Sequence, residues 1–251
     1  MPDIVSSVFA TEGLIWLIIA VCVAGVVRGF AGFGSAMIIM PVASSVLPPV
    51  EAVVFLVAAE IIGPIPNAPA AWREGTPKDV GRLILGAVIG LPIGIWLLSG
   101  MDETQFGWIV SIAVITLLAL TVSGWRLKGA LTHRLTVAAG TLGGFMMGVV
   151  GLPGPPVIML YMASKLPIAV IRANFLLYLT ALDILLFGML WFMGLLSGPI
   201  VILGLMIGIP NMIANVIGAR LFDPSAEKVF RNVAYLVIAV SAIVGLPLWK
   251  G

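Results

Sequence analysis

Long apolar runs, separated by short connections that hold nearly all the charge, dominate this chain. Six runs approach or exceed the length of a membrane span: 51–72, 80–99, 106–125, 171–193, 199–219 and 231–249. A helix rises about 1.5 Å per residue, so about 20 apolar residues match a hydrocarbon layer about 30 Å thick. Four shorter runs, 14–28, 33–47, 135–150 and 155–165, bring the total to ten. Only 10% of the 251 residues are charged, against about 25% in soluble domains. The expected fold is therefore all-α and polytopic, with the lipid bilayer as solvent. A formal net charge of +2 gives no sign of a nucleic-acid partner.

The charges also orient the chain. Arg28 follows the first run; Arg73, Lys78 and Arg82 follow the third; Arg126, Lys128 and Arg134 follow the fifth. Lys165 and Arg172 follow the seventh, and Arg220, Lys228 and Arg231 the ninth. Of 13 basic residues only Lys250 falls on the other side. Retention of Lys and Arg in the cytoplasm makes the odd-numbered connections cytoplasmic and puts both termini outside. Asp3, Glu12, Glu51, Asp102 and Glu103 all fall on the outer side. The first residues hold acids and no Lys or Arg, unlike the basic opening of a cleaved signal peptide. Trp16, Trp72, Trp96, Trp108, Trp125, Trp191 and Trp249 lie mostly near run ends, as interfacial anchors do.

Displaced by 119 residues, the chain matches itself at Gly25/Gly144, Gly29/Gly148, Gly32/Gly151, Met40/Met159, Leu47/Leu166 and Pro48/Pro167. At 118 the register continues through Gly86/Gly204, Gly90/Gly208, Pro92/Pro210 and Gly100/Gly218. The matches are mostly Gly and Pro, which set backbone shape and the closeness of helix approach. The chain divides into residues 1–127 and 128–251, each with five segments, so the second repeat is inverted relative to the first. Inverted repeats are a common plan of secondary transporters. Gly86-Gly90-Gly94 and Gly140-Gly144-Gly148 each line one helix face with glycine, which lets backbones touch.

Each repeat opens with two short segments joined by a glycine-rich break: Arg28-Gly29-Phe30-Ala31-Gly32-Phe33-Gly34 and Gly148-Val149-Val150-Gly151-Leu152-Pro153-Gly154-Pro155-Pro156. Segments of about 15 residues reach about 22 Å, short of a full crossing. The expectation is a pair of broken or re-entrant hairpins approaching from opposite faces. Their bends are tolerated at depth only where buried in protein or lining a cavity. The helices that start near Phe33 and Pro155 present unpaired N–H groups and the positive end of the helix dipole, which suits an anion. Ser35 adds a hydroxyl, and Arg28 brings a planar fork matched to oxyanions. The alternative roles are a cytoplasmic anchor for Arg28 and a plain tight turn for each break.

The run Gly29-Phe30-Ala31-Gly32-Phe33-Gly34, with the second Gly-rich hairpin, the length and the ten-segment pattern, resembles the sulfite exporter TauE/SafE family over about residues 11–248. The resemblance implies transport of sulfite, sulfonates and related organosulfur anions across the bacterial inner membrane. This chain departs from the family pattern at Ser35-Ala36, where further glycines often stand, and in its proline-rich second break.

Ionisable side chains within spans are costly and are functional candidates. Glu60 and Asp183 qualify as proton-exchanging acids or as hydrogen-bonded structural ones. Asn67 lies seven residues beyond Glu60, on the same face of one helix. Asn174 and Tyr178 share a face, as do Asn211 and Asn215. These can donate to a substrate oxyanion or tie helices together. Cys22 and His133, the only residues of their types, support neither a metal site nor nucleophilic catalysis, and no cofactor is expected. The sequence thus reads as a transporter of a small anion working by alternating access. The candidate substrate contacts are Arg28, Gly29, Gly32, Phe33, Gly34, Ser35, Gly151, Gly154, Asn174, Tyr178 and Asn211. Glu60 and Asp183 are candidates for proton coupling. An anion channel and a membrane-embedded enzyme are the rival readings. The coupling ion, proton or sodium, and the oligomeric state are open at this level.

Overall fold

A computed structural model describes residues 13–31, 34–123, 132–162, 164, 166–221 and 227–249. Asp3, Glu12, Gly32, Phe33, Trp125, Arg126, Lys128, Lys165 and Lys250 lie outside the described residues. Among the described residues eleven α-helices follow in order: α1 Leu14–Ala31, α2 Ser35–Val46, α3 Pro49–Glu60, α4 Ala68–Glu74, α5 Pro77–Ser99, α6 Glu103–Val122, α7 His133–Val150, α8 Gly154–Met162, α9 Ile168–Phe192, α10 Gly198–Leu221 and α11 Glu227–Val244. Two short 3-10 turns, Ile65–Asn67 and Pro247–Trp249, complete the set, and no strand occurs among the described residues.

Eleven helices stand where ten segments were expected because the run 51–72 does not form one helix. It breaks after Glu60 into α3, a turn and the seven-residue α4. Pro64, Pro66 and Pro69 lack the N–H that a continuous helix requires, and each ring clashes with the preceding turn. Glu60 and Asn67 consequently sit in different elements rather than on one face. The last expected run also shifts: α11 starts at Glu227 with Lys228 and Arg231 in its first turns, and ends before Gly245-Leu246-Pro247. Four helices, within α5, α6, α9 and α10, are long and apolar enough to cross a membrane.

The two glycine-rich pairs are lopsided. Their first arms, α1 and α7, have 18 residues each, about 27 Å of helix. Their second arms have 12 and 9 residues, about 18 and 14 Å. Only α2 and α8 are clearly too short to cross.

The helices group into two compact units that interleave the halves of the sequence. The first comprises Met1–Gly63, Met101–Val122 and Leu195–Gly251; the second comprises Pro64–Gly100 and Ser123–Gly194. In the first unit α10 packs along α1 and α3, while α2 lies against α1, α3, α6 and α11. Gly29 brings α1 onto α10 so closely that an added Cβ would collide with the Asn215 carbonyl and the Ala219 amide. In the second unit α5 and α7 form the most extensive contact, and α9 packs on α4 and α5. Here both helices contribute glycine. A Cβ at Gly86 or Gly90 would strike the α7 backbone, and one at Gly140 or Gly144 would strike that of α5. Dispersion across touching backbones holds helices together where lipid supplies no hydrophobic drive. The five described tryptophan side chains, Trp16, Trp72, Trp96, Trp108 and Trp191, are exposed.

Candidate functional site

The first unit holds the first bend. Arg28 lies in the last turn of α1, and α2 begins after Gly34. Gly34 adopts φ +93°, a left-handed conformation that suits glycine. No side chain caps α2 there, so its leading amides at Ser35, Ala36 and Met37 are offered to whatever approaches. Ser35 is buried in this first turn.

Arg28 does not snorkel outward as an interfacial anchor would. Its side chain is 18% exposed and pairs with Glu60 of α3, Nη1 to Oε1 at 3.3 Å, with Glu60 12% exposed. Glu60 Oε1 makes no hydrogen bond. Sequence reasoning treated these two residues separately, although an acid inside an apolar run is a signal to seek a basic partner. Asn211 of α10 is buried between α1 and α3. Its Nδ2 donates to the Ala59 carbonyl at 3.2 Å, while Oδ1 has no donor. That amide ties α10 to α3, and its unengaged atom is an acceptor, the wrong polarity for an anion.

The second unit holds the second bend. Thr132 caps the start of α7 by accepting from Leu135 N. At the other end Gly151, at φ +71°, closes the helix, with its N–H bonded to Met147 O and that of Leu152 to Met146 O. The Gly151 N–H to Met147 carbonyl bond is that of an αL cap, which satisfies one of the terminal carbonyls. The next helix, α8, starts Gly154-Pro155-Pro156. Two of its first three residues have no N–H, so this N-terminus offers few amides to an anion. Tyr178 supplies a donor instead. It is fully buried on α9, its hydroxyl has no partner, and the Cα of Gly143 and the carbonyl of Pro153 lie beside it. Gly154 packs against the Phe175 ring.

A sequence profile described as sulfite exporter TauE/SafE matches residues 17–245. The chain belongs to the sulfite exporter TauE/SafE family. It is accordingly a membrane protein of a transporter family for sulfur anions. Neither the curated proteins nor the solved structures contain a significant match. Both bends of this TauE/SafE chain lie within the matched span.

The remaining candidates have other surroundings. Asn174 is fully buried and clamps the turn before α5: Thr76 N donates to its Oδ1, and its Nδ2 donates to Thr76 Oγ1, both at 2.6 Å. Gly75 leaves room for this, since a Cβ there would meet Asn174 Oδ1. The Tyr161 hydroxyl lies close to Asn174 without a well-directed hydrogen bond. With both of its arms engaged, Asn174 serves the fold of this TauE/SafE protein. Asp183 is buried on α9 and has a polar interaction of its own. No group of three or more potential metal ligands occurs among the described residues.

Proposed function

We propose that this chain is a secondary transporter of a small sulfur oxyanion, namely sulfite, a sulfonate or a related organosulfur anion, in the bacterial inner membrane. The observation that carries the reading is the partly buried guanidinium of Arg28 in the turn that leads into the first bend. It is held by a single loose carboxylate contact, and the helix beyond the bend starts without a side-chain cap. A sulfite or sulfonate group presents oxygens that can accept from the guanidinium fork and from helix-terminal amides together. Those fixed donors replace the hydration that the anion loses on leaving water. Gly34 and Ser35 shape that seat, with Gly29 as its flank. At the second bend Gly151, Gly154 and the Tyr178 hydroxyl offer a neutral contact. Asn174 holds the turn before α5 and Asn211 ties α10 to α3, and Asp183 is the candidate for proton exchange in the second unit.

The two five-segment repeats, 1–127 and 128–251, are read as inverted, with both termini outside. Packing within each unit supports the repeat. In the 119/118 register α1 corresponds to α7 and α10 to α5, and these are the pairs that meet, α1 with α10 and α7 with α5. The copies are imperfect. Gly148 faces Gly94, whereas its counterpart Gly29 faces Gly218 rather than Met212. Inversion would let the protein open to one side and then the other while the anion stays bound.

Purified protein in liposomes should accumulate and release sulfite or 2-hydroxyethanesulfonate with saturable kinetics. Failure to move either anion, or any other small anion, would reject the reading. Non-saturating flux far above a carrier's turnover would replace it with a channel.

A further inference from the structure

The Arg28–Glu60 pair is built unlike a structural ion pair. A buried pair offsets its desolvation only with close geometry and additional hydrogen bonds. Here the separation is 3.3 Å, and the carboxylate oxygen nearest Arg28 makes no hydrogen bond. The more exposed pair Arg82–Asp79, by contrast, closes to 2.6 Å with a hydrogen bond. Glu60 is also the last residue of α3, where the helix dipole disfavours negative charge. Of the helices packed against α3, α2 has no charged side chain and α10 has only Arg220. Glu60 is thus a poorly solvated carboxylate whose described counter-charge is the guanidinium that the proposed anion would use.

Resting on the transport reading above, we infer that Glu60 is a resident competitor for Arg28, an internal carboxylate that occupies the oxyanion seat when substrate is absent. Its Oε1 stands in for one oxygen of the sulfur anion. When substrate binds, it takes over part of the guanidinium fork, and the carboxylate loses its partner. Binding is weakened by that loss, and release is favoured because Glu60 reclaims Arg28. A carrier needs such a limit on affinity, since an anion held by an uncontested buried guanidinium would leave slowly. Glu60 is therefore a positioning and affinity-setting residue.

The sign of the effect tests this. If the pair only held α1 to α3, removing the carboxylate would loosen the seat and weaken binding. If Glu60 competes, removing its charge tightens binding. For Glu60→Gln, the Kd for sulfite and for 2-hydroxyethanesulfonate, measured by calorimetry on purified protein, should fall about tenfold. In liposomes KM should fall in parallel and kcat should fall several-fold. Glu60→Asp, which keeps the charge but shortens its reach, should fall between Gln and wild type, and it carries the test if the Gln variant does not fold. An unchanged or raised Kd in the folded variants, beside a wild type that binds and transports, overturns the role of Glu60 and leaves the transport reading standing. A wild type that neither binds nor moves these anions overturns both.

Discussion

The two bends follow one sequence plan yet offer an anion different chemistry. The first joins a helix that carries a partly buried guanidinium to one that starts Ser35-Ala36-Met37 with its amides intact. The second joins α7, closed by Gly151 in the left-handed conformation, to a helix whose second and third residues are proline. One bend is charged and rich in donors; the other is neutral and depends on a phenol. Under the proposed reading, the first bend is the one that fixes the negative charge.

The largest expected effect breaks this contrast at its charged end. Arg28→Gln removes the cation from a partly buried seat. It should lower transport of either anion at least about tenfold, below the full scale of about a hundredfold for truncating one partner of a buried charge pair. Initial rates in liposomes, normalised to folded protein, measure it. A loss equal to that of a second-bend variant would mean that the bends share the charge. Next in size is a change that affects the fold alone. Asn174→Ala leaves the Thr76 amide and hydroxyl without partners inside the second unit. The expected cost is about 1–3 kcal/mol, seen as a lower Tm with KM preserved.

Gly34 and Gly151 permit a matched experiment. Both have positive φ, +93° and +71°, so alanine costs about 1–2 kcal/mol at either. Equal loss of Tm but greater loss of transport in Gly34→Ala would place the anion contact at the first bend, whereas equal losses of transport would remove the distinction. Tyr178→Phe is gentler still. It deletes one neutral donor, worth about 1 kcal/mol, and should raise KM about fivefold without a loss of stability, since the hydroxyl has no partner to abandon.

Much of this plan was written in local sequence. Glycine at four-residue spacing marked the faces of α5 and α7 that now touch, because close approach demands an absent Cβ wherever it occurs. Gly34 and Gly151 marked turns for an equally local reason. The prolines at 64, 66 and 69 carried the signal for the break after α3, but hydropathy integrates over a window and passes across a short interruption. What the sequence left hidden depends on pairing at a distance. Arg28 and Glu60 meet through tertiary packing, as do Thr76 and Asn174, 98 residues apart. No periodicity within one helix encodes which neighbour it will face. The same limit applied to Asn174 and Asn211, for which the spacing indicated a shared face but not whether the amide would be spent on a neighbouring helix.

The smallest expected effect lies at the other ion pair and sharpens the contrast between the units. Arg82 and Asp79 sit one turn apart at the start of α5, each side chain about one-third exposed, 31% and 30%. Their short separation gives the appearance of strength, but solvent screens the attraction and the unfolded helix keeps the two residues near each other in sequence. Exposed pairs of this kind contribute about 0–1 kcal/mol. Asp79 also complements the positive end of the α5 dipole, a contribution of similar size. Asp79→Asn should therefore lower stability by no more than about 1 kcal/mol and leave both the KM and the turnover of the transported anion unchanged. A marked change in KM would mean that the second unit also presents charge to the substrate, and the division between a charged bend and a neutral one would fail. Distance alone ranks these two pairs in the wrong order. Exposure, helix end and the presence of a hydrogen bond separate the tight, one-third-exposed pair that does little from the loose, less exposed one proposed to exchange its partner.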